Sequence, residues 1–202
     1  MDNKHYPTAP DINITVNGVE KLLNNLNPYK AAGPDQLKPM VLKKLAKHLS
    51  PILTIIYNAS LDTSQIPSQW QKALVSPIFK KGNKYQASNY RPISLTCICC
   101  KILEHIVTSN IMTHGETNNI LYPLQHGFRK GRSCKSQLLE FTEDIAANMA
   151  EGIQTDVLIM DFSKAFDKVS HSLLVHKLHH YGIQGKATRW IQEFLKIGRA
   201  HV

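Results

Sequence analysis

Cysteine is scarce in this chain: Cys97, Cys99, Cys100 and Cys134 are all there is, with no pair of C-x-x-C motifs among them. That pattern excludes a disulfide-stapled secreted module and argues against a structural zinc site, leaving reduced thiols as the default. No stretch approaches the roughly 18 consecutive apolar residues of a membrane span. The polar start, residues 1–17, has no signal-peptide core. The sequence therefore predicts an intracellular protein of nucleus or cytoplasm, neither secreted nor bound to membrane. Acidic residues are also few, 15 Asp+Glu against 24 Lys+Arg for a net charge of +9. They are missing altogether from two segments. Gln71 to Lys101 carries Lys72, Lys80, Lys81, Lys84, Arg91 and Lys101 without an acid, and Phe128 to Leu139 carries Arg129, Lys130, Arg132 and Lys135 without one. Such one-signed stretches favour a polyanionic partner, of which nucleic acid is the commonest; ordinary solvated loops are the plainer reading. Internal repeats and low-complexity segments are absent too.

What is present is a globular chain of 202 residues, 43% hydrophobic, enough for one sizeable core or two packed subdomains. Residues 1–16, with Pro7 and Pro10 among polar residues, read as a linker or tail. Val19, Leu22, Leu23 and Leu26 have helical spacing and stop before Asn27-Pro28. Lys30 to Asp35 forms a turn, with Asp35 a candidate cap for a helix whose apolar stripe is Leu37, Val41, Leu45 and Leu49 and whose Pro39 belongs in the first turn. A separate helix, Ile52 to Leu61, follows Ser50-Pro51. Ala73 to Phe79 reads as a strand entering the basic turn Lys80 to Lys84, and Asn89 to Leu95 as a second extended piece. A helix from about Cys97 to Met112 follows, its cysteines packing residues. Gln125 to Ser133 is a glycine-bearing basic loop with one aromatic, a composition suited to a sugar-phosphate backbone and a stacked base. Leu138, Phe141, Ile145 and Met149 mark a helix ending near Gly152, and Leu173 to His180 and Ala187 to Leu195 mark two more.

The most telling stretch runs from Thr155 to Asp167. Val157 to Met160 read as a buried strand that delivers Asp161 at its end, where a rigid element can aim a carboxylate at a metal or phosphate. Five residues later comes an aromatic, Phe166, and then a second carboxylate, Asp167, with the small Ala165 beside the ring. Asp167 also fits a helix-capping role. Phe166 also fits a core. His176, His179 and His180 have helical spacing, yet no acid stands by as a further ligand, so they read as a helix face.

In order along the chain stand AAGPD, IPSQW with PIFKKG, NYRPISLTCICCKILE, QHGFRKGRS and VLIMDFSKAFDKVSH. Taken together, from about Val19 to Lys196, they resemble the reverse transcriptase domain of non-LTR retrotransposons, LINE-like elements. The resemblance implies a mixed α/β (α+β) fold, mostly helical: right-hand polymerase fingers over 17–152 and the start of a palm over 153–196. It implies a nucleotidyltransferase, an RNA-directed DNA polymerase that works with an RNA template, a DNA primer and dNTP, and uses Mg²⁺ in the complete enzyme. By the same likeness Asp161 is the first catalytic, metal-binding carboxylate and Phe166 the steric gate against a ribose 2′-hydroxyl. Phe162, Lys164 and Ala165 fall where the backbone meets the triphosphate. Lys80 or Lys81, together with Arg91, matches the fingers cations that bind the phosphates, the choice between the lysines being left open. Gln125, Gly127, Phe128 and Arg129 match a motif that contacts template or fingers loops.

The likeness also defines what is missing. A right-hand reverse transcriptase carries two more carboxylates on a later palm hairpin, whereas this chain has no Asp-Asp pair, and Glu193 is its only acid after Asp167. The expectation is a chain truncated before that hairpin and inactive alone. Residues 197–202, Ile-Gly-Arg-Ala-His-Val, are what the DNA string ATCGGAAGAGCACACGTC encodes, a string similar to the start of a sequencing adapter. They are expected to be a non-native tail, the alternative being a genuine basic continuation. A non-catalytic nucleic-acid-binding fragment or inactive element relic, binding through the two basic segments, is the other functional reading.

Overall fold

The computed structural model describes residues 4–163, 165, 166, 168–197, 200 and 201. Lys164, Asp167 and half of the expected non-native tail, residues 198, 199 and 202, lie outside the described residues. The chain divides into two compact units, Met1–His114 with His171–Val202, and Gly115–Ser170.

In the first unit, helix α1 (Val16–Asn24) starts where Thr15 Oγ1 accepts a hydrogen bond from Gly18 N at 3.1 Å, and it buries Val19 and Leu23. The expected linker before it sends Ile12 and Ile14 into the same core. Asp35 does not cap a helix. Its Oδ1 accepts from Leu37 N at 3.2 Å, which closes an Asx turn, and α2 (Pro39–Lys44) begins one turn later with Pro39 in its first turn. Two further expectations fail here. The break falls at Leu45, and α3 (Ala46–Thr63) runs through Pro51. Proline leaves the carbonyl four residues back without its donor, and the Ser50 hydroxyl takes that place by donating to Lys47 O at 3.4 Å. The buried stripe is Leu42, Ala46, Leu53, Tyr57 and Leu61, whereas Leu37, Val41 and Leu45 are more than two-fifths exposed. Small residues at positions 46 and 50 let α3 approach its neighbours closely, which a search for large apolar residues overlooks.

Strands β1 (Lys72–Phe79) and β2 (Tyr90–Thr96) pair antiparallel, close to the predicted bounds. Strand β3 (Ala200–His201) adds a short parallel pairing to the start of β1. Helix α4 (Ile98–Thr117) lays Ile98, Ile102, Leu103 and Val107 on the core, with Cys97, Cys99 and Cys100 buried beside them as packing residues. Burial raises the Cys99 thiol pKa to about 12, so it stays protonated at neutral pH. The Tyr57 hydroxyl donates to Cys99 O at 2.9 Å, and burial pushes its pKa far above the usual phenol range. Helix α7 (Gly185–Leu195) supplies Trp190, 2% exposed, whose Nε1 donates to Ser60 Oγ at 3.0 Å. Helix α6 (His171–His180) leaves His176 and His179 exposed, and among the described residues no three His, Cys, Asp or Glu side chains could hold a metal.

In the second unit, α5 (Cys134–Ala150) opens with a reciprocal cap: Ser133 Oγ accepts from Ser136 N, and Ser136 Oγ from Ser133 N. The predicted buried strand at Val157–Met160 is not there. Residues 153–162 run without regular structure, and Leu158, Ile159 and Met160 are 81%, 86% and 78% exposed. A strand is stabilised by a neighbour to bond with. Among the described residues of this unit no other strand offers one. Among all described residues, no helix is long and apolar enough to cross a membrane.

Candidate nucleotide and nucleic-acid interface

The expected site residues fall in both units. In the first, the β1–β2 hairpin carries Lys80, Lys81 and Arg91, all exposed. The register sets Ile78 opposite Arg91 and Phe79 opposite Tyr90, and the ladder goes one step further, with Lys80 N donating to Asn89 O at 2.8 Å. Side chains alternate faces along a strand, so Lys80, at the end of the ladder, shares the face of Ile78 and Arg91, whereas Lys81 lies past the ladder in the bend before Gly82. The turn between the strands is tied by its own polar groups. Asn83 Oδ1 accepts from Tyr85 N, Asn89 Nδ2 donates to Asn83 O, and the Tyr90 hydroxyl donates to Lys84 O. Gly82 stands at φ +90°, where a side chain would meet Asn89 at 2.9 Å. Lys84 Nζ lies 5.7 Å over the Phe79 ring, which in turn meets Tyr90 edge-on. A cationic turn with its backbone fixed in this way can hold charges toward a phosphate at little cost in ordering.

The second unit carries Gln125, Gly127, Phe128 and Arg129 on one loop and Asp161, Phe162, Ala165 and Phe166 on the segment after α5. Gln125 Nε2 donates to Gly127 O at 2.9 Å, which closes the loop on itself. Arg129 is held internally: Nε and Nη2 donate to the two Glu116 oxygens at 2.9 and 2.6 Å, and Nη1 donates to Tyr122 O at 3.0 Å. The paired guanidinium holds the Glu116 carboxyl below the usual carboxylate range. Phe128, between these anchors, is 84% exposed at φ +60°, a left-handed conformation uncommon for a bulky residue. Its ring meets that of Phe166 edge to face, with centroids 6.0 Å apart. At 78% exposure Phe166 is not a core residue, so the packing alternative for it is set aside. Phe162 is likewise 82% exposed.

Asp161 is exposed and has no hydrogen-bond or ion-pair partner among the described residues. The described residues do not make a magnesium site, because a lone exposed carboxylate lacks the several oxygens that such an ion takes.

Sequence reasoning overlooked the residue that fixes the loop. His126, with its side chain 2% exposed, sets Nε2 2.8 Å from Glu140 Oε2 and Nδ1 2.9 Å from Ser136 Oγ, and Arg132 Nη1 lies 3.7 Å from Glu140 Oε1. The available signal was the i, i+4 pair Ser136 and Glu140, which lines one helix face behind a histidine in the loop. Glu116, at the end of α4 and well upstream of the motif, gave none.

Among known proteins, the model of the family described as reverse transcriptase (RNA-dependent DNA polymerase) matches residues 78–202. The chain is 30% identical over 166 residues to the probable RNA-directed DNA polymerase from transposon BS of Drosophila melanogaster, covering 82% of this chain and 18% of that protein. It is 31% identical over 143 residues to the probable RNA-directed DNA polymerase from transposon X-element of the same fly, covering 70% and 16%. Over 178 residues it is 27% identical to the RNA-directed DNA polymerase from mobile element jockey, covering 88% and 19%. The chain thus spans less than a fifth of the length of these relatives. On the family match and these likenesses, the chain belongs to the reverse transcriptase (RNA-dependent DNA polymerase) family, as a domain of the non-LTR, LINE-like retrotransposon kind.

Proposed function

We propose that this chain forms the fingers and the first palm segment of an RNA-directed DNA polymerase that transfers a nucleotide from dNTP to a primer 3′-hydroxyl on an RNA template. The observation that carries the reading is the β1–β2 register, which leaves Lys80 and Arg91 exposed and side by side on one face. Cross-strand diagonal neighbours lie about 7–8 Å apart, a span over which two cations can share one triphosphate. Lys80 is therefore the lysine that meets the phosphates, and Lys81, past the end of the ladder, serves the outer field of the turn. Arg91 brings a planar fork suited to two phosphate oxygens, and Lys80 a compact charge beside it.

Phe166 lies against the sugar and Asp161 faces the reacting phosphate; Phe162 and the small residue Ala165 let the backbone come close. Gln125, Gly127 and Phe128 face the template side, and Arg129 holds their loop through Glu116. Mg²⁺ is proposed for the complete enzyme on the family likeness alone, and of the described residues only Asp161 is offered to it. An element's polymerase of this kind works inside the cell, in nucleus or cytoplasm.

The test is steady-state incorporation by a polypeptide that carries residues 1–196 and continues from there in the reading frame of its source. Losing a charged hydrogen bond to phosphate costs about 1.5–3 kcal/mol, so Lys80→Ala is expected to raise KM for dNTP about ten- to hundredfold. Lys81→Ala is expected to change it by less than about fivefold, since an exposed charge off the site contributes at most about 1 kcal/mol. An equal or larger effect at Lys81 contradicts the assignment. A polypeptide that binds RNA in a salt-dependent way yet never extends a primer supports instead the non-catalytic binding reading.

A further inference from the structure

Two phenylalanines in the second unit are almost wholly exposed and yet meet each other. Phe128 and Phe166 are 84% and 78% exposed, on segments nearly forty residues apart, with ring centroids 6.0 Å apart at an interplanar angle of 83°. An exposed phenylalanine in a loop gains little from being held in one place. Here the holding is extensive. On one side His126 is bonded to Ser136 and Glu140 of α5, and on the other Arg129 grips Glu116 through two nitrogens. Between these anchors the Phe128 backbone is kept at φ +60°, a left-handed conformation that is unfavourable for an L-residue with a bulky side chain. Strain of this sort persists where the surroundings over-determine it, and it directs the inference from the outlier toward a role.

From this geometry we infer that Phe128 is a specificity-determining positioning residue, which acts by holding the Phe166 ring in a T-shaped contact so that the gate against a ribose 2′-hydroxyl keeps one orientation. The inference rests on the reading of Phe166 as the residue against the sugar. A ring of this kind has two rotatable bonds, and when exposed it is free to turn away from an extra hydroxyl. The edge of Phe166 against the face of Phe128, or the converse, limits that freedom, and such a contact contributes beyond simple burial. The basic loop thereby does more than contact template: through one side chain it sets the sugar selectivity of a residue far along the chain. Its braces at His126 and Arg129 belong to the same device.

The experiment measures the ratio of kcat/KM for dNTP to that for the matching rNTP in the same primer-extending polypeptide. Phe166→Ala is expected to lower the ratio most. Phe128→Ala is expected to lower it roughly two- to tenfold, the factor an aromatic pair is worth. Phe128→Gly removes the ring while relieving the backbone, so an equal loss there assigns the effect to the ring. Phe128→Tyr should keep the ratio and Phe128→Leu should not, because the edge-to-face contact needs an aromatic. In the double variant Phe128→Ala/Phe166→Ala the ratio should match that of Phe166→Ala alone. A normal ratio in both Phe128→Ala and Phe128→Gly, with Phe166→Ala impaired, overturns the inference and spares the reading of Phe166. A normal ratio in Phe166→Ala overturns both.

Discussion

Replacing His126 by alanine should release the loop that carries Phe128, and the size of the effect follows from what the imidazole holds. The ring is nearly wholly buried and spans Ser136 Oγ at 2.9 Å and Glu140 Oε2 at 2.8 Å. Each such bond contributes about 1 kcal/mol net, and the ring's burial adds a comparable amount, so the loop should lose roughly 2–3 kcal/mol. Because the loop contains Arg129, Lys130 and Arg132, trypsin reports its opening directly. If opening is fast relative to cleavage, the rate follows the open population, and 2–3 kcal/mol corresponds to a roughly 30- to 150-fold rise. Cleavage after Lys80, Lys81 and Lys84 in the β1–β2 hairpin provides the internal reference and should be unchanged. His126→Gln, which keeps one polar contact, should fall between. An unchanged rate at Lys130 and Arg132 in His126→Ala would refute the reasoning, because it would mean that the buried imidazole does not brace the loop.

Other outcomes follow from the same geometry. Gly33→Ala would set a methyl 2.6 Å from Thr96 O and 2.7 Å from Cys97 N, both backbone atoms that cannot swing aside, and should destabilise the first unit by about 1–3 kcal/mol in urea unfolding followed by tryptophan fluorescence. Trp190→Phe should cost about 1–2 kcal/mol in the same assay, with Trp70 as the remaining probe, by removing the indole bond to Ser60. The Arg129–Glu116 pair should loosen in acid: its carboxyl titrates below the usual range in the folded chain, so its contribution is complete above the ordinary carboxylate pKa and fades as pH falls through the lower folded value. Hydrogen exchange in residues 125–132, compared between wild type and Glu116→Gln, should differ at neutral pH and converge in strong acid. A difference that persists below the folded titration would argue against this ion pair as the cause.

How much of the fold was legible in the sequence varied with how local the cause was. The β1–β2 hairpin could be read because its signals are local: a mostly apolar run, Ala73 to Phe79, and a short extended piece, Asn89 to Leu95, flank the basic turn Lys80 to Lys84. Helices α4 to α7 could be read from their spacing, and the buried cysteines from the absence of any partnering pattern. Val157 to Met160 could not, since an apolar run says that burial would be favourable but not which strand provides it. The Ser50-Pro51 break failed because a neighbouring hydroxyl can serve the carbonyl that proline abandons. Within the site, the sequence offered Phe128 and Phe166 as separate motif residues. Their ring contact depends on a left-handed backbone and on two polar anchors, Glu116 and Glu140, that no local pattern links to the loop.

The central claim turns on Asp161. With the primer-extending polypeptide, an RNA template, a DNA primer and dNTPs, single-turnover incorporation should fall to background in both Asp161→Ala and Asp161→Asn, while binding of template and primer at fixed salt stays near wild type. Incorporation that survives Asp161→Ala at the wild-type rate would contradict the account.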